Sequence, residues 1–384
     1  MIIIENRCFE TDVSSVLIKT KRVIKGFLGC TYNSIYKKSS LSILMCSNFL
    51  NQTKDSRLNK VLEEHSFERS MSYLDWDYHL SSKRTALKIL KRIQSVKGKT
   101  SNHLIKSSDK YALDILGWKG YALWLYVYSA LNQEFKESWI PPNYFGKVVV
   151  PQLKRNYGNI ADCNSLTSRL FKSALFPDYV YYVNGLWLST EYQVLTKKEV
   201  LEMINKKSDR FVYKIDNSLQ GKRVHIIENN KFDIEKLQML GNGVLQNYIN
   251  QHLFLKAIMP NSVATSRITS VINNNGIISV RACFLWVSGC SDTHVRSISN
   301  ISILVNFSTG LLEKYGYTTG FIQIESHPDT SFVFENKEIP NFTNCIDTVH
   351  TLHKTVPLTR SVGWDMTIDL NNNVKVMEWK SRQY

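Results

Sequence analysis

The chain has no run approaching the roughly 18 uninterrupted apolar residues that a membrane-spanning helix needs. Its opening residues, MIIIENRCFETD, meet acids too early for a secretory signal, so the cytoplasm is the expected location. Cysteines are scattered. Cys8, Cys30, Cys46, Cys163, Cys283, Cys290 and Cys345 are odd in number and never spaced CxxC, which points away from a structural zinc site or a disulfide framework and leaves most of them as small core residues. His294, His327, His350 and His353 fall at no triad or metal spacing, and the last two read as structural residues of a helix. Acids are scarce: 33 Asp and Glu stand against 48 Lys and Arg, a net charge of +15.

The chain is well supplied with core-forming residues. Its 384 residues are 43% hydrophobic and 11% aromatic, enough for two or three structural units with a sizeable core. The charge is uneven, because residues 1–150 hold 23 Lys and Arg against 13 Asp and Glu, a surplus of +10. Such a surplus suits nucleic acid, an anionic membrane face or an acidic glycan, or it solubilises exposed helices. Nucleic acid is not expected, since no recognition motif is present and the aromatics sit in apolar helices rather than among the bases.

Residues 1–60 alternate short apolar and basic runs of moderate amphipathic character and read as ordinary helices packed on the body, with a helix lying on a partner or membrane surface as the alternative. SKRTALKILKRIQSVK, 82–97, places Ala86, Leu87, Leu90 and Ile93 at helical spacing, with Ser82 as a cap. The aromatic helix that follows from Asp109 should break at Gly117 and Gly120 and supply a helical core. WIPPNYFGK, 139–147, is the best internal boundary, because Pro141-Pro142 stops a helix. Beyond it the pattern predicts a helix over 164–177, a hairpin turning at Asn184-Gly185, and a helix over TKKEVLEMINKK.

Two stretches carry the chemistry. FVYKIDNSLQGKRVHII, 211–227, reads as two β-rich strands around a polar loop, with Lys214 on the first strand and Ser218 and Gly221 in the loop. Such a hairpin can close on a polyphosphate: backbone N–H groups and a hydroxyl donate to oxygens while the lysine supplies positive charge. Near the C-terminus, VGWDMTIDLNNNVKVMEWK forms two apolar strands about an Asn371–Asn373 turn, each with a carboxylate, Asp365 and Glu378. Converging carboxylates suit a magnesium ion that also holds phosphate, whereas diverging ones are merely two solvated acids.

Together with VLQNYINQHLFLKAIMPNSVATSRITSVI and the HPDT run at 327–330, these stretches resemble the ATP-grasp superfamily, specifically its sugar-transfer-associated branch, over roughly residues 160–384. The resemblance implies an α+β fold in which two α+β lobes hold nucleotide between them, preceded by a mainly helical N-terminal region. The corresponding division is 1–150 for that region and 151–384 for the ATP-grasp domain, with a small lobe over about 165–247 and a large lobe over about 248–384. It further implies that Lys214 contacts the α-phosphate or adenine edge and that Ser218 and Gly221 form a phosphate lid. Gln246, Asn247 and Ile249 would bind adenine at a hinge, and Asp365 and Glu378 would hold Mg2+. Arg267 would bind phosphate or carboxylate through its planar fork, with Arg281 as second choice for that catalytic task. Arg169 and Lys172 are both candidates for a nucleotide contact on the preceding helix.

The implied activity is an ATP- and Mg2+-dependent carboxylate–amine ligase working through an acyl phosphate. Its expected substrates are a uronic acid or similar acidic sugar and an amino acid, in bacterial surface polysaccharide (capsule or O-antigen) synthesis at or near the inner face of the membrane. Three departures from the family pattern stand out. Arg223 replaces a lid glycine, THVRSISNISILVN lacks a glycine pair, and Lys380 occupies the position of an asparagine metal ligand. A protonated lysine cannot coordinate magnesium, so an inactive nucleotide-binding scaffold is the alternative expectation.

Overall fold

A computed structural model describes residues 67, 68, 70–206, 209–216, 224–290, 292, 295 and 299–381. Residues 1–66, Ser218, Gly221 and Arg223 lie outside them, as does most of the 293–298 segment. A compact unit extends from Asp77 to Tyr384.

Helix α1 (Tyr73–Lys97) starts nine residues before the expected 82–97. Its start is marked by Ser72, whose hydroxyl oxygen accepts from the Asp75 N–H. Ser82 is no cap: it lies mid-helix, and its hydroxyl accepts from the Trp124 indole N–H at 2.8 Å. Helix α2 (Asn102–Asp114) ends before Gly117, whose φ of +83° breaks the run as expected, and α3 (Ala122–Asn132) follows. Ala86, Ile89 and Ile93 of α1 pack on Trp124, Val127 and Ala130 of α3. The helix expected over 164–177 is only α4 (Thr167–Phe171). Lys172 takes a left-handed turn there, and Phe171 is placed against Trp364 and Trp379.

Among the described residues thirteen strands make two antiparallel sheets: β1 (Asp178–Val183), β2 (Leu186–Ser189), β3 (Val194–Leu195), β4 (Arg210–Ile215), β5 (Val224–Glu228), β6 (Gly243–Asn247), β7 (Thr265–Ile272), β8 (Ile278–Val287), β9 (Ile301–Val305), β10 (Leu312–Thr318), β11 (Gln323–Ile324), β12 (Ser361–Ile368) and β13 (Val374–Lys380). The first sheet has the order β3-β2-β1-β6-β4-β5 and the second β11-β10-β9-β8-β7-β12-β13. The β1–β2 turn uses Asn184 (φ +50°) and Gly185 (φ +88°), the left-handed pair that a two-residue hairpin needs. Helix α5 (Lys197–Asn205) opens with a capping box between Thr196 and Glu199.

Alternation decides which side chains face the space between the sheets. Phe211, Tyr213 and Ile215 of β4 enter the small-sheet core, leaving Lys214 on the other face. On β12, Val362, Trp364, Met366 and Ile368 enter the large core beneath helix α6 (Phe342–Thr355), so Asp365 faces away from it. Both edges of β12 are paired and all its residues are buried, so a carboxylate there needs a partner within the protein.

Candidate functional site

Three adjacent strands of the large sheet align Glu378, Asp365 and Arg267 in one row, since Asp365 is the register partner of both others. Arg267 grips Asp365 with both arms, Nε to Oδ1 at 2.5 Å and Nη2 to Oδ2 at 2.8 Å, and its guanidinium lies over the Trp286 ring. Burial works against its charge, but the Asp365 carboxylate outweighs this and the Arg267 pKa is raised. Lys380, two residues beyond Glu378 and itself buried, places Nζ 2.6 Å from Glu378 Oε1.

A β-bulge connects this row to the first sheet. Asp365 pairs with Glu378 and Met366 with Val376, which leaves Met377 as the extra residue of β13. Its carbonyl oxygen accepts from Lys214 Nζ at 2.7 Å and from Gln246 Nε2 at 3.4 Å, so a large-sheet backbone group is bound by side chains of β4 and β6. Gln246 also donates to Asp178 Oδ1 at 2.8 Å, and the Tyr181 hydroxyl donates to Asp178 Oδ2. Burial raises the Asp178 pKa against the pull of these donors and of Lys214. Burial likewise lowers the Lys214 pKa, while Glu378, Asp365 and Asp178 oppose the shift and Lys380 reinforces it. Three carboxylates and three cations therefore share one desolvated space.

Beside this cluster, at the end of β6, lies a cleft of about 870 Å³ whose lining includes Asn247, Tyr248, Ile249, Asp178, Arg169 and Lys172. Its size suits a nucleoside, and it runs to the hinge-like end of the strand. Of the residues singled out from the sequence, Lys214, Gln246, Arg267, Asp365 and Glu378 meet in the charged cluster, while Asn247 and Ile249 line the cleft. Arg281 does not join them, being exposed as the extra residue of a bulge on β8. Ser218 and Gly221 fall outside the described residues.

Asp178 and Asp216 were not apparent as site residues. Asp216 accepts from the Asn164 N–H at 2.8 Å and the Ser165 hydroxyl at 3.1 Å, tying the segment before α4 to the end of β4, and burial raises its pKa. A carboxylate directly after Pro177, heading an aromatic strand, was the available signal for Asp178. The HPDT run serves a local purpose. His327 Nδ1 accepts from the Asp329 and Thr330 N–H groups, and its Nε2–H donates to the Ser288 carbonyl at 3.1 Å. Although Cys290, His327 and Asp329 lie together, neither imidazole nitrogen is left for a metal.

Asp365 and Glu378 are hard oxygen donors side by side, and each carboxylate oxygen keeps a lone pair beyond the contact it makes, so the residues fit one Mg2+. Lys214 and the cleft suit a nucleoside polyphosphate. Residues 238–384 match the family model described as sugar-transfer associated ATP-grasp. No curated protein matches the chain. Among solved structures, it is similar to N5-carboxyaminoimidazole synthetase from Staphylococcus aureus complexed with ADP (15% identity, 73% of this chain and 68% of that one, TM-score 0.39). It is also similar to an ADP complex of N5-carboxyaminoimidazole ribonucleotide synthetase (12% identity, 58% and 45%, TM-score 0.37). A third is L-amino acid ligase from Bacillus licheniformis (10% identity, 59% and 42%, TM-score 0.33). The chain thus spans less than half the length of the last two.

Proposed function

We propose that the chain, whose residues 238–384 match the family model described as sugar-transfer associated ATP-grasp, is an ATP- and Mg2+-dependent carboxylate–amine ligase. The observation that carries this reading is the meeting of Lys214, Arg267, Asp365 and Glu378 from two sheets beside a nucleoside-sized cleft. The domain division follows the same reading, with 151–384 as the nucleotide-binding part and its lobes meeting near residue 247.

In the proposed reaction an oxygen of the acid substrate attacks the γ-phosphorus of ATP, ADP leaves, and an acyl phosphate forms. The amine then attacks the acyl carbon, inorganic phosphate departs, and the amine gives up a proton as the amide forms. Lys214 leaves the Met377 carbonyl to meet phosphate oxygens, its burial strengthening the attraction. Arg267 offers the N–H groups not spent on Asp365 to the transferring phosphoryl or to the acid. Asp365 and Glu378 would hold Mg2+, which when bound neutralises phosphate charge and orients the transferring group. Gln246, Asn247 and Ile249 fix the base. Arg281 is assigned no part.

For substrates we take a uronic acid or similar acidic sugar and an amino acid, joined during surface polysaccharide synthesis. Supporting this are the family's association with sugar transfer and the net charge of +15. Residues 78–108 contain no Asp or Glu but eight Lys and Arg, and Lys83, Arg84, Lys88 and Lys91 are exposed on α1. That basic face suits an anionic membrane surface, where each such charge contributes about 1 kcal/mol. Among the described residues no helix is long and apolar enough to cross a membrane. A second reading, a nucleotide-binding scaffold without turnover, is favoured by the ion pairs that engage both carboxylates.

The test is a thermal-shift titration with ATP and Mg2+ on the full chain and on Lys214→Ala, followed by ADP release with acid and amine pairs. Ligand at 100 times its dissociation constant stabilises by about 2.7 kcal/mol. A rise in melting temperature present in the native protein and absent from Lys214→Ala is expected. No rise at millimolar ATP would sink both readings, and a rise without ADP for any pair would leave the scaffold.

A further inference from the structure

The charges between the sheets are partnered before any ligand enters. Asp178, Asp365 and Glu378 face Lys214, Arg267 and Lys380, each with a neighbour of opposite sign or a polar partner within reach, and the Asp216 carboxylate also feels the charge of Lys380. Two features set Lys380 apart. Its side chain is only 10% exposed, so it is held beside Glu378 rather than sampling solvent. It also follows Glu378 by two residues on β13 with no bulge between, which points both side chains to the same side of the sheet.

Consider then what a divalent cation would meet. Both Asp365 oxygens already accept from Arg267, and Glu378 Oε1 accepts from Lys380. What remains is one lone pair or so on each oxygen of two neighbouring carboxylates. That suffices for a single octahedral ion whose other ligands are phosphate oxygens and water. A second ion on the Glu378 side would sit against the Lys380 ammonium, and in desolvated surroundings two cations that close repel strongly. The ammonium has no lone pair with which to coordinate it.

We propose that Lys380 acts as a built-in cation, so that the cleft binds a nucleoside triphosphate with one divalent ion, and the fixed ammonium supplies the charge a second would bring. The proposal rests on the nucleotide reading given above. It concerns metal stoichiometry, which turnover does not report.

The experiment is a Mn2+ titration of the full chain with saturating AMP-PNP, with free Mn2+ read by electron paramagnetic resonance and bound nucleotide measured in the same samples. One Mn2+ per nucleotide is expected for the native protein and two for Lys380→Asn. Lys380→Met, which removes the charge without adding an oxygen, should keep one ion and lose about tenfold in nucleotide affinity, equivalent to about 1.4 kcal/mol. Two ions in the native protein would overturn the proposal whatever the variants do. So would a single ion in a Lys380→Asn protein whose melting temperature is unchanged. Absence of bound AMP-PNP from the native protein would instead remove the nucleotide reading, and the proposal with it.

Discussion

Removing one partner of the Arg267–Asp365 pair should unbalance the cluster more than removing both. The side chains are 14% and 13% exposed and joined by two hydrogen bonds, so truncating either one strands a charge in a desolvated space. Breaking a buried pair in this way costs about 3–5 kcal/mol, whereas replacing both members by apolar groups of similar size is close to neutral. Asp365→Ala leaves Arg267 with only the distant attraction of Glu378. Arg267→Met leaves Asp365 without its two hydrogen bonds, with the charge of Lys214 in compensation. We expect about 3–5 kcal/mol from each single variant and less than about 2 kcal/mol from Arg267→Met/Asp365→Leu, a coupling that a double-mutant cycle isolates. The assay is urea denaturation of the full chain without nucleotide, comparing midpoints at constant slope. Single-variant losses below about 1 kcal/mol, the worth of an exposed ion pair, would refute the reasoning and mean that the two sheets stand open in solution. Asp365 would then be free of its partner.

Two further predictions follow from the same structure. His353 is held neutral, with the Ser270 hydroxyl donating to Nδ1 at 2.7 Å and Nε2–H donating to the Thr359 carbonyl at 2.9 Å, and burial keeps its pKa below the usual 6.5. The unfolded chain takes that proton more readily, so its contribution to stability is full above pH 6.5 and is lost as pH falls through the depressed folded value. An NMR titration placing the His353 ring at or above 6.5 would contradict this. Changing Lys83, Arg84, Lys88 and Lys91 to Gln should weaken sedimentation with vesicles containing phosphatidylserine by about 4 kcal/mol at low salt while leaving neutral vesicles indifferent. Equal binding by native and variant proteins would withdraw the membrane contact from the basic face of α1.

The elements nearest the site were the most legible. Asn184-Gly185 and the Asn371–Asn373 turn specify hairpins by local conformation, and alternation on β4 and β12 assigns Lys214 and Asp365 to the faces they occupy. Boundaries set by distant contacts were not. The start of α1 depends on Ser72, while Ser82, which has the cap chemistry, is used by Trp124 forty-two residues away. The end of α4 depends on Phe171 reaching Trp364 and Trp379.

By itself the sequence determined the two-strand hairpins, the charge surplus and the residue types at the site, because propensity, turn chemistry and period-two patterning act over a few neighbours. Only the tertiary structure decided the partners. It placed Arg267 against Asp365 and Lys380 against Glu378, brought Asp178 beneath Gln246, and turned the Met377 carbonyl toward Lys214 through a bulge. Those contacts join residues up to 163 positions apart. They exist because buried charges must find opposite charges or hydrogen-bond donors wherever strand register brings them.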